Sequence, residues 1–140
     1  MVIYLDIDGV IIPWGQSHPS EVAVEALNAL VESLEAPIIV SSAWRKTRSL
    51  SELQELLRQW GVRGAVVGKT PQLSTNKAWV KGWPFVPAAI RAHEIQQDMA
   101  SSRIAPHQVV VIDDLKLTPY FENQVHVIET DSLIGLTYEN

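Results

Sequence analysis

Cysteine is absent from the 140-residue chain. Its absence excludes disulfides, thiolate metal sites and any chemistry through a cysteine nucleophile. It suits a reducing compartment without requiring one. An excess of basic charge is also missing: the net charge is −5 and the pI about 5.3. The chain therefore carries no global positive field of the kind that gives sequence-independent affinity for nucleic acid. No apolar run approaches the ~20 residues that cross a bilayer, so no membrane association is expected. The opening Met1-Val-Ile-Tyr-Leu-Asp6 has no basic n-region and reaches a carboxylate at once, unlike a secretory signal. The expectation is a cytoplasmic protein. Internal repeats and low-complexity tracts are lacking too, and no feature calls for an obligatory protein partner.

What is present is enough apolar material for one core: 46% of residues are hydrophobic and 19% charged, at close to the commonest domain size. Residues 1–140 are read as one domain. Val2–Leu5 is a short apolar run rich in β-formers, closed by acidic residues and Gly9, which suits a strand covered on both faces. From Ser20 to Leu34, Val24, Leu27, Leu30, Val31 and Leu34 repeat with helical spacing, and Pro37 closes the segment. Ile38–Val40 reads as a second buried strand, followed at once by Ser41-Ser42. Ser49-Leu-Ser-Glu52 has the form of a capping box; Leu50, Leu53, Leu56, Leu57 and Trp60 give an apolar stripe, and Gly61 fits the position after a helix end. Ala65–Val67 reads as a short third strand. Gly68 to Pro87 holds three prolines, two tryptophans and three lysines without periodicity, and is expected to be a functional loop. Ala88–Ala100 predicts a helix, Val109–Ile112 a fourth strand, Val125–Ile128 a fifth, and the remainder a loop or short helix. Strands alternating with helices imply an α/β fold, a three-layer α/β/α Rossmann-like arrangement around a mostly parallel five-stranded sheet.

In such sheets ligands bind beyond the carboxyl ends of the strands. Three strands end in groups suited to phosphoryl chemistry: Asp6-Ile-Asp8-Gly9, Ser41-Ser42 and Asp113-Asp114. Side chains two apart on a strand share a face, so Asp6 and Asp8 can look into one site. Carboxylates crowded in this way repel one another unless a cation lies among them, and hard oxygen ligands favour Mg²⁺. A magnesium site for a phosphorylated substrate is the chemistry these residue types suggest.

The order and spacing resemble the haloacid dehalogenase (HAD) superfamily: Asp-x-Asp-Gly after the first strand, a Ser or Thr after the second, a Lys or Arg, then an acidic pair. By that resemblance Asp6 is the nucleophile that becomes phosphorylated. Asp8 protonates the leaving oxygen and then deprotonates the hydrolytic water. The resemblance further implies that Asp6, the backbone carbonyl of Asp8 and Asp113 hold the metal, with Asp114 as a further ligand or orienter. A serine hydroxyl binds the transferring phosphoryl group, Ser42 first and Ser41 close behind. For the cation Arg91 is the first choice and Lys69 its rival. Ser42-Ala-Trp44-Arg45, Gly68-Lys-Thr-Pro71, Arg91-Ala-His-Glu94-Ile95 and Thr130-Asp…Gly135-Leu-Thr137 are similar to strings in HAD phosphatase domains of bacterial RNA-repair proteins. That similarity spans nearly the whole chain. It implies a phosphatase acting on polynucleotide phosphate ends. The intervals between motifs are nearly filled by predicted helices, so a minimal cap or none is expected, which leaves an open site and favours large substrates on steric grounds.

Taken singly these strings have plainer readings. Asp-x-Asp-Gly is more often a turn or helix cap, a serine pair is often a cap, and an acidic pair often opens a loop. A calcium loop is excluded, because Val10, Ile11 and Ile12 stand where oxygen ligands are required. Trp14, Trp44, Trp79 and Trp83 suit core packing as well as an active-site mouth. Arg45, Lys46, Arg48, Lys69, Lys77 and Lys81 suit either an electropositive rim or ordinary solvated charge. His18, His93, His107 and His126 lack metal-ligand spacing and read as structural or surface residues. Two other functions share the fold: a phosphate-binding module with little or no activity, and a phosphotransferase with an acceptor other than water.

Overall fold

The computed structural model of the protein describes residues 1–73 and 82–140. Five strands, β1 (Val2–Leu5), β2 (Ile38–Val40), β3 (Val66–Lys69), β4 (Val109–Asp113) and β5 (His126–Glu129), form one sheet in the order β3-β2-β1-β4-β5, every pairing parallel. The helices are α1 (Glu21–Leu34), α2 (Leu50–Gln59) and α3 (Pro87–Ser101). Helices α1 and α2 carry the chain outward from β1 through β2 to β3, and α3 brings it back across the sheet to β4. Right-handed crossovers therefore put α1 and α2 on one face and α3 on the other.

Strand alternation divides the interior accordingly. Ile3, Leu5, Ile38, Val40, Val110 and Ile112 pack with Leu27 of α1 and with Leu53 and Leu57 of α2. Tyr4, Ile39, Val109 and Val111 pack with Ala92, Ile95 and Met99 of α3. Full burial of one such aliphatic side chain contributes about 1.5–3 kcal/mol. The Tyr4 hydroxyl donates to Asp98 Oδ2 of α3 at 2.6 Å, a polar tie between β1 and its covering helix.

Local chemistry explains where the elements end. Ser20 caps α1, its hydroxyl accepting from the Ala23 amide at 3.2 Å. The helix closes at Glu35 in the left-handed conformation, two residues before Pro37. The capping box at α2 is complete, with Ser49 Oγ accepting from the Glu52 amide at 3.1 Å and Glu52 Oε1 accepting from the Ser49 amide at 3.0 Å. Gly61 takes φ +91° after it.

One boundary moves. Gly68 and Lys69 belong to β3 and not to the loop, because the register slips between Ile38 and Ile39. Val67 is the extra residue of a bulge, a place in a strand where glycine is at home. Trp79, Lys77 and Lys81 lie outside the described residues. Among those residues no domain is inserted between β1 and α1 or between β2 and α2, and no helix is long and apolar enough to cross a membrane.

Candidate active site

Strand β1 is central, and its end sits between those of β2 and β4. Leu5 pairs with Val40 on one side and Ile112 on the other. One step further, Asp6 stands between Ser41 and Asp113. The Asp6 amide donates to Ile112 O at 3.0 Å and the Ser41 amide to Leu5 O at 2.9 Å. Alternation puts Asp6, Ser41 and Asp113 on the α3 side, continuing the rows Tyr4–Asp6, Ile39–Ser41 and Val111–Asp113. All three are buried.

From α3, Arg91 meets them. Its Nη1 lies 2.7 Å from Asp113 Oδ2 and 3.4 Å from Asp6 Oδ1. Asp113 also accepts from the Leu115 amide through Oδ1 at 2.9 Å, an Asx-type turn that fixes its rotamer. Asp114 completes an acidic cluster: Asp6, Asp113 and Asp114 each offer an oxygen, all within 4.8 Å of one another. Burial, then the neighbouring Asp113, push the Asp6 carboxyl well above its ordinary value, Arg91 opposing. Burial likewise raises Asp113 against the pull of Arg91.

Three carboxylates against one guanidinium leave two negative charges uncompensated, and a divalent cation among them satisfies that balance. The donor set, all hard oxygen, suits such an ion. Asp8 is exposed, and its Oδ2 accepts from the Trp44 indole at 2.9 Å. Between Asp8 and the cluster the backbone turns at Gly9, with φ +81°. Any Cβ at Gly9 would run into the Asp114 carboxylate, so both its conformation and its lack of a side chain are required.

The two serines differ. Ser42 caps the 3₁₀ turn Ala43–Lys46, its hydroxyl accepting from the Trp44 amide at 3.2 Å. Ser41 Oγ is buried beside Asp6 and has no hydrogen-bond partner among the described residues. The two cations differ as well. Lys69 is turned away from the cluster, its ammonium donating to Arg48 O at 3.1 Å and Arg45 O at 3.4 Å. Arg91 is, among the described residues, the basic side chain in ion-pair range of Asp6 and Asp113.

Several residues around the site were not legible as such. Thr130 Oγ1 donates to Gly9 O at 2.7 Å and the Thr130 amide to Asp113 O at 3.0 Å, so Thr130 ties the ends of β1, β4 and β5 together. Ser132 Oγ donates to Asp114 Oδ2 at 3.0 Å. Arg45, read as part of a surface rim or solvated charge, is instead buried and paired with Glu94 of α3 at 2.6 Å. Its other donors reach Ser42 O at 2.7 Å, Thr70 O at 3.0 Å and Pro71 O at 3.3 Å. This guanidinium locks the turns after β2 and β3 onto the helix that carries Arg91. Trp83 packs on Tyr120 and on His93 of α3, and Trp14 is exposed.

A family model described as the HAD domain in Swiss Army Knife RNA repair proteins matches residues 2–140. The chain belongs to that family. No curated protein and no solved structure shows significant similarity to it. Membership identifies a HAD-type, phosphatase-like domain on an α/β Rossmann-like fold with little cap, of a class that typically uses a metal ion. Among the described residues of this HAD domain, Asp6, Asp113 and Asp114 form a group that could hold one.

Proposed function

We propose that this HAD domain is a Mg²⁺-dependent phosphatase that hydrolyses phosphate monoesters through an aspartyl phosphate on Asp6, with phosphorylated polynucleotide ends or other large substrates as its targets. The observation that carries the reading is the row Ser41–Asp6–Asp113 across three strand ends, with Arg91 seated on it. Asp6 Oδ attacks phosphorus; the bond to the leaving oxygen breaks, and Asp8 gives that oxygen a proton. Water then attacks the phosphorus of the aspartyl phosphate, Asp8 takes the proton, and the Asp6 carboxylate leaves.

Arg91 offsets the repulsion between the Asp6 carboxylate and the incoming phosphate, and stabilises charge that grows on the transferring oxygens. Ser41 Oγ, buried with an unused donor beside the nucleophile, is the hydroxyl assigned to a phosphoryl oxygen, which reverses the order of preference between the two serines. Lys69 is assigned no role in the chemistry, since its ammonium is spent on backbone carbonyls. Mg²⁺ held by Asp6 and Asp113, with Asp114 as a further ligand or orienter, would neutralise the carboxylates and polarise the phosphate. Among the described residues no domain is inserted after β1 or β2, which is the steric support for a large substrate.

The test is phosphate release from p-nitrophenyl phosphate, mononucleotides and 5′- or 3′-phosphorylated oligonucleotides, with and without Mg²⁺, for wild type and Asp6→Asn. Mg²⁺-dependent release by wild type alone is expected, with oligonucleotide ends preferred. Equal release by folded Asp6→Asn would overturn the mechanism, and a preference for mononucleotides would overturn the substrate class.

A further inference from the structure

Of the proposed catalytic carboxylates, Asp8 alone is exposed, and a short side chain at the edge of a turn samples several rotamers unless something holds it. One group does. Trp44 Nε1 donates to Asp8 Oδ2 at 2.9 Å, and among the described residues it is the hydrogen-bond partner of that carboxylate. Trp44 is itself held through its backbone and through its ring. Ser42 Oγ accepts from its backbone amide at 3.2 Å. Trp60, at the end of α2, meets its ring in a T-shaped pair with centroids 5.4 Å apart and planes at 77°. The Arg48 guanidinium lies over its face, 4.2 Å from the ring centroid. A surface carboxylate is thus tied to a side chain that packs between Trp60 and Arg48.

We propose that Trp44 is the positioning residue for Asp8, holding Oδ2 so that Oδ1 is the oxygen that exchanges the proton with the leaving group and with water; this rests on the phosphatase reading above. An indole N–H donates and cannot accept. It therefore neither delivers nor removes a proton, and it confines Oδ2 to accepting. In the first step the Oδ1–H bond breaks and the proton passes to the ester oxygen as its bond to phosphorus breaks. In the second step a water O–H bond breaks, its proton returns to Oδ1, and its oxygen bonds to phosphorus. Trp44 is unchanged throughout. Displacement of a reacting group by ~1 Å can cost on the order of 10²-fold in rate, so holding the carboxylate still is worth a measurable factor.

Trp44→Phe keeps an aromatic ring between Trp60 and Arg48 and removes the N–H together with the pyrrole part of the indole. Phosphate esters of graded leaving group separate proton transfer from general damage, because p-nitrophenolate departs with little help and an alkoxide does not. The expected result, read in kcat/KM because it ends at departure of the leaving group and excludes the hydrolysis of the aspartyl phosphate that both esters share, is a value on an alkyl phosphate lowered by roughly 10- to 100-fold with that on p-nitrophenyl phosphate nearly intact. Equal losses on both esters, or no loss on either, would overturn the proposal.

A second reading needs no Trp44 variant and no activity. The Trp44 indole ¹H–¹⁵N resonance should move further in Asp8→Ala than that of any other tryptophan, and an unmoved resonance overturns the hydrogen bond and the proposal with it. A wild type that turns over no ester, while the resonance still shifts, defeats the phosphatase reading and the proton-transfer role together but leaves the contact standing.

Discussion

The two faces of the sheet are built from the same strands and behave differently at one end only. Toward α1 and α2 the row Ile3–Leu5–Ile7 remains apolar past the strand end, where Val10, Ile11 and Ile12 extend the core, and the rows Ile38–Val40 and Val110–Ile112 stay apolar to the last residue they place in the sheet. Toward α3 the rows begin apolar and turn at their last residue to Asp6, Ser41 and Asp113. On the first face burial is compensated by packing, with the buried Asn28 of α1 hydrogen-bonded to Gly61 O and the Arg63 amide. On the second it is compensated by two arginines, Arg91 on the carboxylates and Arg45 on Glu94. The contrast says where stability and chemistry reside: one face can be judged by volume, the other by charge.

The largest departure should come from breaking the charge balance away from the carboxylate cluster. Arg45→Met leaves Glu94 buried without its cation, and thermal or denaturant unfolding should show a loss of about 3–5 kcal/mol. Adding Glu94→Leu should recover part of it, whereas the lost bonds to Ser42, Thr70 and Pro71 carbonyls remain. A double variant no better than the single one would mean that these carbonyl bonds, and not the ion pair, are what matters.

Next, Arg91→Ala should lower kcat/KM on any accepted ester by about 10²–10³-fold. Its mirror on the other face, Leu27→Ala, should cost ~2–5 kcal/mol of stability with little change in the rate per folded molecule. Steady-state kinetics beside denaturant melts would show the crossing, and a Leu27→Ala enzyme as slow as Arg91→Ala would erase the distinction between the faces.

A third prediction concerns pH. Asp6 and Asp113 bind protons more readily folded than unfolded, so in the metal-free protein their contribution to stability falls as pH rises from the ordinary carboxyl value of 3.8 through their raised folded values. A divalent ion favours the ionised carboxylates. The rise in Tm on adding Mg²⁺ should therefore be greatest near neutral pH and fade on acidification; melts across a pH series with and without the ion test this, and a pH-independent rise would contradict it.

The smallest effects distinguish the serines. Ser41→Ala should leave stability almost unchanged, since its hydroxyl has no partner among the described residues, but slow turnover by about tenfold through the loss of one hydrogen bond to a charged oxygen. Ser42→Ala should do the reverse, costing ~1 kcal/mol as a lost cap with turnover preserved.

Much of this was legible in the sequence because it is local. The capping box at Ser49 and Glu52, the apolar runs of β1, β2 and β4, and the acidic groups at strand ends all declare themselves within a few residues. Gly68 misled because glycine usually marks a turn, and only the pairing with Ile39 reveals a bulge. That Ser41, and not Ser42, stands in line with Asp6 was in principle readable from parity, since Ser41 shares the face of Ile39 and the Asp6 row lies on that same face. Arg45 with Glu94, Trp44 with Asp8 and Thr130 with Gly9 are contacts between distant segments. No spacing announces them, and a buried arginine in particular looks like any surface charge until its partner is placed.

The central claim is that Asp6 becomes covalently phosphorylated. The direct measurement is to quench wild-type protein during turnover with Mg²⁺, reduce it with borohydride, which converts a phosphorylated aspartate to homoserine, and map the peptides by mass. Conversion at Asp6, dependent on substrate and Mg²⁺, is the predicted result. Turnover with Asp6 unconverted, or conversion at another carboxylate, would contradict it.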